Sequence, residues 1–186
     1  MKKILMTMVA AFAAVSMNAQ VYVGGSLGFA SYDDGNTSKT SFKLLPEVGY
    51  VLDEDMAVGI TFGYEQGNVS NGVDSKIGST DYPQTFSIAP YFRYNFTKMG
   101  PVTVFADGEL MYASTKAADG AKKDNTFGVG IKPGIAVALG DKLSFVSHLG
   151  YLGYNQTKHD VDGAKARSSF GLDLANGLTF GLYYNF

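Results

Sequence analysis

The segment Phe86-Ser87-Ile88-Ala89-Pro90-Tyr91-Phe92-Arg93-Tyr94-Asn95-Phe96 places an apolar side chain at every second position. The alternate face carries Ser87, Ala89, Arg93 and Asn95. Successive side chains of a strand point to opposite faces, so this period of two predicts a β-strand and not a helix. Three more segments share the pattern, with apolar faces formed by Phe42, Leu44, Pro46, Val48, Tyr50 and Leu52, by Phe127, Val129, Ile131, Ile135, Val137 and Leu139, and by Leu178, Phe180, Leu182, Tyr184 and Phe186.

Three prolines recur in matching frames along the chain. Pro46, Pro90 and Pro133 are separated by 44 and 43 residues, and a further 43 residues lead to Asn176. A repeat of this length fits a β-hairpin with its connections, so four repeats predict eight strands. Proline has no backbone donor, and a closed barrel has no free edge where that loss would be harmless. We therefore expect a local bulge or bend at the proline positions.

The remaining four strands are predicted at about 21–32, 56–66, 102–114 and 143–155. Strands of about 10 to 13 residues match the 9 to 11 that a tilted strand needs to cross a bilayer. The connections alternate in length: 53–55, 97–101 and 140–142 are short, whereas the stretches near 33–39, 67–83, 115–125 and 156–168 are long and polar. Short periplasmic turns and long external loops are typical of outer-membrane barrels.

The N-terminus has the three parts of a secretory signal peptide. Lys2 and Lys3 precede an apolar run from Ile4 to Val15, and the small residue Ala19 lies at the predicted cleavage site. The run is too short for a transmembrane helix, which needs about 20 residues. We predict a signal peptide at residues 1–19 and a barrel domain at residues 20–186.

The composition excludes several classes of protein. Without Lys2 and Lys3, 13 basic residues face 17 acidic ones, a formal charge of −4, and there are no basic clusters that would predict a nucleic-acid partner. The absence of cysteine excludes disulfides and lipid attachment to an N-terminal cysteine. The 23 glycines and 25 phenylalanines and tyrosines suit strands and turns.

The face opposite the apolar one decides between two kinds of barrel. A secreted, lipocalin-like barrel turns its apolar face inward and covers its outside with charged side chains. Here the opposite face is mainly small, as at Gly49, Ala89 and Gly130, which suits the crowded interior of an eight-stranded barrel. Aromatic residues bound the apolar face at both ends, as at two membrane–water interfaces. The sequence therefore predicts an all-β, eight-stranded, antiparallel, up-and-down transmembrane β-barrel in the outer membrane of a Gram-negative cell.

The chain also resembles a known family. The signal-like start, the opening strand Tyr22-Val23-Gly24-Gly25 and the repeated hairpins are similar to the small outer-membrane β-barrel proteins of the OmpA/OmpX-like, "porin family" group. The resemblance covers essentially residues 20–186 and implies a barrel without the periplasmic domain of full OmpA-type proteins. It further implies that outer-membrane lipids and the barrel-assembly machinery are partners, the latter through a C-terminal signal at Leu182, Tyr184 and Phe186.

Charged residues on the small face form the best-defined polar set. We expect Glu109 and Lys132 to lie at one height on adjacent strands, and Asp107 near Arg93 within one hairpin. Such charges need partners, because an unpaired buried charge costs several kcal/mol. The set either forms a polar plug, which we favour, or lines a narrow pore or a small-solute site. Its members are Lys43, Glu47, Arg93, Asp107, Glu109, Lys132 and Asp173.

No residues predict catalysis. Lipid-modifying outer-membrane enzymes need a nucleophile, a base and an orienting acid within reach of one another. Ser147 and His148 are neighbours on one strand and so point to opposite faces, and His159 belongs to a polar loop. We therefore predict a non-enzymatic scaffold without catalytic residues, metal or cofactor, which displays four loops outside the cell to an extracellular ligand that their sequences do not identify.

Overall fold

The computed structural model describes residues 21–33, 38–67, 83–116, 123–159 and 165–186, apart from the side chains of residues 29–33, 38–40, 159 and 173–178. Eight antiparallel strands follow one another around a closed barrel, which confirms the predicted fold. Among the described residues, no helix has the length and apolar character to cross a membrane. The strands are β1 Val21–Asp33, β2 Ser38–Val51, β3 Met56–Gln66, β4 Gln84–Met99, β5 Val102–Lys116, β6 Lys123–Ala138, β7 Leu143–His159 and β8 Arg167–Asn185.

The two ends of the barrel differ in their connections. The short connections 52–55, 100–101 and 139–142 and both termini of the barrel lie at one end, which we call the turn end. In the first turn, Asp53 Oδ1 accepts the backbone N–H groups of Asp55 and Met56 at 2.9 and 2.8 Å, which fixes the chain reversal. The connections at the opposite, loop end are 34–37, 67–83, 117–122 and 160–166. The first, which was predicted to be long, is no longer than the turns, and the other three are longer. The strands contain 11 to 19 residues. β3 has the predicted bounds, whereas β5, β7 and β8 are longer than predicted.

The outward face carries the large apolar side chains. Phe86, Phe127 and Phe180 are 51 to 60% exposed, whereas Glu47, Arg93 and Asp107 are buried inside. This orientation of the two strand faces contradicts the lipocalin-like alternative, in which the apolar face would point inward. Aromatic side chains contact one another at both ends of the outward face: Tyr64–Phe86 and Phe42–Tyr64 towards the loop end, Tyr94–Phe96 and Tyr184–Phe186 towards the turn end.

The prolines interrupt the ladder, as expected, but in two ways. All three pair normally with the preceding strand, Pro46 with Gly25, Pro90 with Ile60 and Pro133 with Ala106. Towards the following strand, the register shifts between Ile131 and Gly134, which confirms an irregularity at Pro133. The extra residue lies on β7, where three residues oppose two of β6. Pairing is merely skipped beside Pro46 and Pro90, with the register kept. Two successive pairs are absent at each of these prolines. No shift of register is needed, because a proline lacks a single backbone donor, which faces one neighbouring strand.

Two features distinguish the last strands. The β7–β8 register shifts between Leu149 and Tyr151, where Gly150 is left out of the ladder. Among the described residues, the seam between β1 and β8, which closes the barrel, contains five pairs, from Tyr22↔Asn185 to Ser26↔Gly181. Every other neighbouring pair of strands has eight pairs or more.

Candidate functional site

Arg93 lies at the centre of the lumen and bridges two carboxylates. It is the cross-strand partner of Asp107, and its Nε and Nη2 donate to Asp107 Oδ1 and Oδ2 at 2.7 and 2.8 Å. Nη2 also lies 3.5 Å from Glu47 Oε1 on β2. The three side chains are at most 8% exposed. Two parallel charge-assisted bonds from one guanidinium fix both the position and the orientation of the pair.

Tyrosine hydroxyls satisfy the second carboxylate. Tyr91 donates to Glu47 Oε1 and Tyr183 donates to Glu47 Oε2. The hydroxyl of Tyr22 lies 2.5 Å from that of Tyr91. Glu47 is therefore held from β4 and β8 as well as by Arg93, which compensates for its burial.

Aromatic rings surround the guanidinium group of Arg93. Its central carbon lies 4.1 Å from the centroid of the Phe105 ring and 5.2 to 5.8 Å from the centroids of three tyrosine rings. Cations within about 6 Å of a ring face are attracted to it, so the rings hold the charge while they exclude water. We call this layer the plug, and it consists of Tyr22, Glu47, Tyr91, Arg93, Phe105, Asp107 and Tyr183.

Glycines make room for the plug. Each of its four aromatic residues is the direct cross-strand partner of a glycine, in the pairs Tyr22↔Gly49, Tyr183↔Gly24, Tyr91↔Gly59 and Phe105↔Gly134. A Cβ atom on any of these glycines would overlap the partner ring. The small residues of the lumen face thus serve to let aromatic rings lie flat across the neighbouring strand.

Glu109 and Lys132 also meet, although not as expected. Their side chains are in contact, with Lys132 Nζ 2.7 Å from Glu109 Oε2. The expected equal height is wrong, because Lys132 pairs with Asp107 and Glu109 pairs with Gly130. Counting from two separate turns ignores the stagger of neighbouring strands in a tilted barrel. The ion pair is therefore diagonal, and Lys132 remains 34% exposed.

His148 extends the network on the loop side of the plug. Its Nε2 lies 2.8 Å from Asp107 Oδ2 and its Nδ1 lies 3.3 Å from Thr179 Oγ1. The ring also packs edge-on against Phe105, with centroids 5.4 Å apart. Ser147, the neighbour of His148, does not join this chain of hydrogen bonds.

The other predicted site residues have separate positions. Lys43 pairs with Glu65 at 3.5 Å, nearer the loop end. Asp173 pairs through its backbone with Tyr151, and its side chain lies outside the described part of the chain. The C-terminal residues Leu182 and Tyr184 are 54 and 41% exposed on the outward face. Phe186 packs against Tyr184 and donates its N–H to the carbonyl of Val21 at 3.1 Å.

The sequence analysis missed His148 and the four aromatic residues of the plug. A signal existed for the aromatic residues, because Tyr91 and Tyr183 are large rings in phase with the small face, directly before Phe92 and Tyr184. Strand alternation alone gives no reason to link them with Glu47. Within the described residues, no group of three or more His, Asp or Glu side chains is placed to hold a metal ion.

Cavities lie on both sides of the plug. Towards the loop end, cavities of about 250 and 280 Å³ share Lys43, Thr61 and Lys132 in their walls. Towards the turn end, a cavity of about 190 Å³ is bounded by Arg93 and Phe105 among others. The plug separates these spaces, so the described lumen is divided at the height of Arg93.

Comparison with known proteins gives two kinds of similarity. The family model of the outer membrane protein beta-barrel domain matches residues 4–186. Neisserial surface protein A has a similar structure, with a TM-score of 0.53 and 18% identity over 89% of this chain and 97% of that one. The N-terminal β-barrel domain of Pseudomonas aeruginosa OprF has a TM-score of 0.50 and 10% identity over 91 and 98%. At such identities the likeness shows a shared fold. No curated protein sequence matches significantly.

Proposed function

The chain belongs to the outer membrane protein β-barrel domain family, and we propose that it is a non-enzymatic outer-membrane scaffold with a closed lumen. In this proposal, the strands cross the bilayer, and the long connections at the loop end are displayed outside the cell. Closure of the sheet satisfies backbone groups that could not otherwise enter hydrocarbon. The aromatic contacts at both ends of the outward face support this placement.

The plug carries the proposal of a closed lumen. A buried arginine bonded to two carboxylates and surrounded by four rings fills the cross-section between the cavities. An eight-stranded barrel is just wide enough for its side chains to fill it, so a layer with this many rings leaves no continuous water path.

Export and assembly complete the proposal. A signal peptide at residues 1–19 would take the chain out of the cytoplasm of a Gram-negative cell, and the barrel-assembly machinery would recognise Leu182, Tyr184 and Phe186. Two of these side chains are exposed on the outward face and all three belong to the closing strand or its end. The turn end then faces the periplasm, as in barrels with short periplasmic turns.

A second candidate is capture of a small solute from the loop side. The loop-end cavities of about 250 and 280 Å³ favour it, since their walls carry both lysines and carboxylates. Ligand pockets are commonly about 300 to 1,000 Å³, so such a solute would be small.

The arrangement around His148 supports a structural role over catalysis. Both oxygens of Asp107 are engaged by Arg93, and the imidazole ring is packed against Phe105. A general base must be free to exchange a proton with a bound substrate, whereas this ring is held inside the hydrogen-bonded network.

Planar-bilayer conductance of the refolded barrel tests the closed lumen. We expect no steady current from the native protein and a measurable one from Tyr91→Ala, which removes a ring and a hydroxyl from the plug. Met111→Ala is the matched control, because this residue lines the loop-end cavities away from the plug. Steady conductance of the native barrel would contradict the proposal in favour of a narrow pore.

A further inference from the structure

The plug presents opposite charges to the cavities on its two sides. The cavity of about 250 Å³ on its loop side, which we call the inner cavity, is lined by the carboxylates of Glu47, Asp107 and Glu109 among others. Arg93 instead lines the cavity on the turn side. The plug holds one arginine against two carboxylates, and His148 in its neutral form leaves that excess of one negative charge in place. The floor of the inner cavity is therefore negative.

The two lysines that line the inner cavity do not balance this charge. Lys43 Nζ lies 3.5 Å from Glu65 Oε2, and Lys132 Nζ lies 2.7 Å from Glu109 Oε2. Each lysine thus has a carboxylate of its own outside the plug. Both lysine side chains are 34% exposed, so water can reach their remaining N–H groups. The excess negative charge of the plug is left for another cation.

Glu109 contributes a buried oxygen atom that has no partner. The residue lines the inner cavity and is 4% exposed. Its Oε2 bonds Lys132, whereas its Oε1 has no hydrogen-bond partner among the described residues. An unpaired buried acceptor costs free energy, and a donor that enters the cavity removes this cost. The terminal torsion of a glutamate is soft, so a small turn of the carboxylate presents Oε1 to the cavity.

The wall beside Glu109 suits an organic ammonium group. The Tyr151 ring lies over Gly130, which is the cross-strand partner of Glu109, and a ring face attracts a cation. Asn155 Oδ1 accepts the Tyr151 hydroxyl at 3.2 Å and keeps a second lone pair for another donor. Leu45 gives the same cavity an apolar wall. The cavity thus offers acceptors and a ring to a cation, and an apolar contact to a short alkyl chain.

We propose that the inner cavity binds a small primary ammonium solute, with its charged group between Glu109 and the Tyr151 ring. This inference rests on the small-solute candidate given under the proposed function and names the chemical class of that solute. An ammonium group donates to Glu109 Oε1 and Asn155 Oδ1, and its single positive charge matches the excess of the plug. A carboxylate solute would meet the negative floor. A metal ion would find no group of three His, Asp or Glu ligands within the part of the chain that the structure describes.

Titration of the refolded barrel in zwitterionic detergent tests the proposal, with the amide NMR signals of Gly128 and Gly130 as reporters beside the site. The probe is n-butylammonium, an analogue of the lysine side chain that is cationic at about pH 8. The neutral n-butanol and the anionic butyrate are its comparators. We expect n-butylammonium to bind at least about 10-fold more tightly than n-butanol, because hydrogen bonds between charged groups are the stronger ones.

Three variants locate the site. Glu109→Gln keeps the shape of the side chain and removes its charge, and should weaken n-butylammonium binding at least about 10-fold. The matched control Glu65→Gln removes a carboxylate from the neighbouring loop-end cavity and should change binding less than about threefold, because that charge is partly exposed and balanced by Lys43. Lys132→Met should bind n-butylammonium about fivefold more tightly, because the ammonium group then no longer competes with the lysine for Glu109.

Three outcomes would overturn the proposal: equal binding of n-butylammonium and n-butanol, native affinity in Glu109→Gln, or an equal loss in Glu65→Gln. Heat-modifiable gel migration verifies that each variant has folded, and the gain expected for Lys132→Met cannot result from misfolding. Binding of butyrate instead would keep the capture of a solute and refute its class. Binding and conductance are measured separately, so a conducting barrel that binds n-butylammonium would refute the closed lumen and leave the ammonium site standing.

Discussion

Removal of Arg93 is the most direct test of the plug. Arg93→Met keeps a long apolar side chain but leaves Asp107 and Glu47 buried without their cation. Loss of one partner of a buried ion pair costs about 3 to 5 kcal/mol. His148 still bonds Asp107, and Tyr91 and Tyr183 still bond Glu47, so part of the loss is offset. The loss is increased, however, because two carboxylates and not one are left without their cation. We therefore expect the free energy of unfolding to fall by about 3 to 5 kcal/mol.

A double-mutant cycle isolates the contact between Arg93 and Asp107. We expect Asp107→Leu alone to be similarly damaging and the double variant to lose less than the sum, with a coupling of at least about 2 kcal/mol. The assay is urea unfolding of the barrel refolded into lipid vesicles, followed by heat-modifiable gel migration.

The pair Lys43 and Glu65 is the matched control for this cycle. Their charged atoms lie 3.5 Å apart and the side chains are 34 and 20% exposed, so the coupling should not exceed about 1 kcal/mol. If the Arg93–Asp107 coupling is no larger than that of the control pair, the buried bidentate contact is not formed and the plug argument fails.

Three further perturbations test other parts of the barrel in the same unfolding assay. Lys132→Met should lower the free energy of unfolding by about 2 to 3 kcal/mol, because Glu109 loses its partner. The loss should be smaller than for Arg93→Met, because Lys132 is a third exposed. An unchanged free energy of unfolding would show that the diagonal pair is absent. Phe92→Arg on the outward face, near the midplane, should lower the free energy of unfolding by about 2 to 4 kcal/mol. Thr61→Lys on a cavity wall should lower it clearly less. Equal losses would argue against the assigned faces. Gly59→Ala should destabilise the barrel by about 1 to 3 kcal/mol, because the new Cβ atom overlaps the Tyr91 ring. Gly108→Ala should be nearly neutral, because no atom lies nearer than 3.9 Å to its Cβ position. Similar effects of the two variants would refute the packing of rings on glycines.

Period-two alternation predicted the barrel because each face of a strand meets one environment throughout its length. Phe92 and Ile131 follow that rule, and so the strand number, the phase and the alternating connections could be derived without coordinates. That Asp107 lies near Arg93 could also be derived, because a short turn joins their strands. Their direct pairing could not, because it depends on a register shift between Asn95 and Thr97.

Contacts between hairpins could not be derived in the same way. The stagger of β5 against β6 moved Lys132 opposite Asp107, two residues from the expected position. The bulge at Gly150 changes the phase of β7, so that Tyr151 lines the lumen together with His148, although strict alternation would place them on opposite faces. Such shifts depend on how the whole sheet closes, and no local pattern encodes them.

The five-pair seam between β1 and β8 has a consequence for the order of assembly. It joins residues more than 150 positions apart, so its closure carries the largest loop-entropy cost in the sheet while it gains the fewest backbone bonds. The other neighbouring strands are joined by connections and can pair from these outwards. This seam has no such connection, so it must form last and open first. Its C-terminal half is also the segment proposed to contact the assembly machinery. If the assembly machinery bound this edge of β8, it would occupy the position of β1. The barrel could then be released only when β1 displaced the machinery from β8.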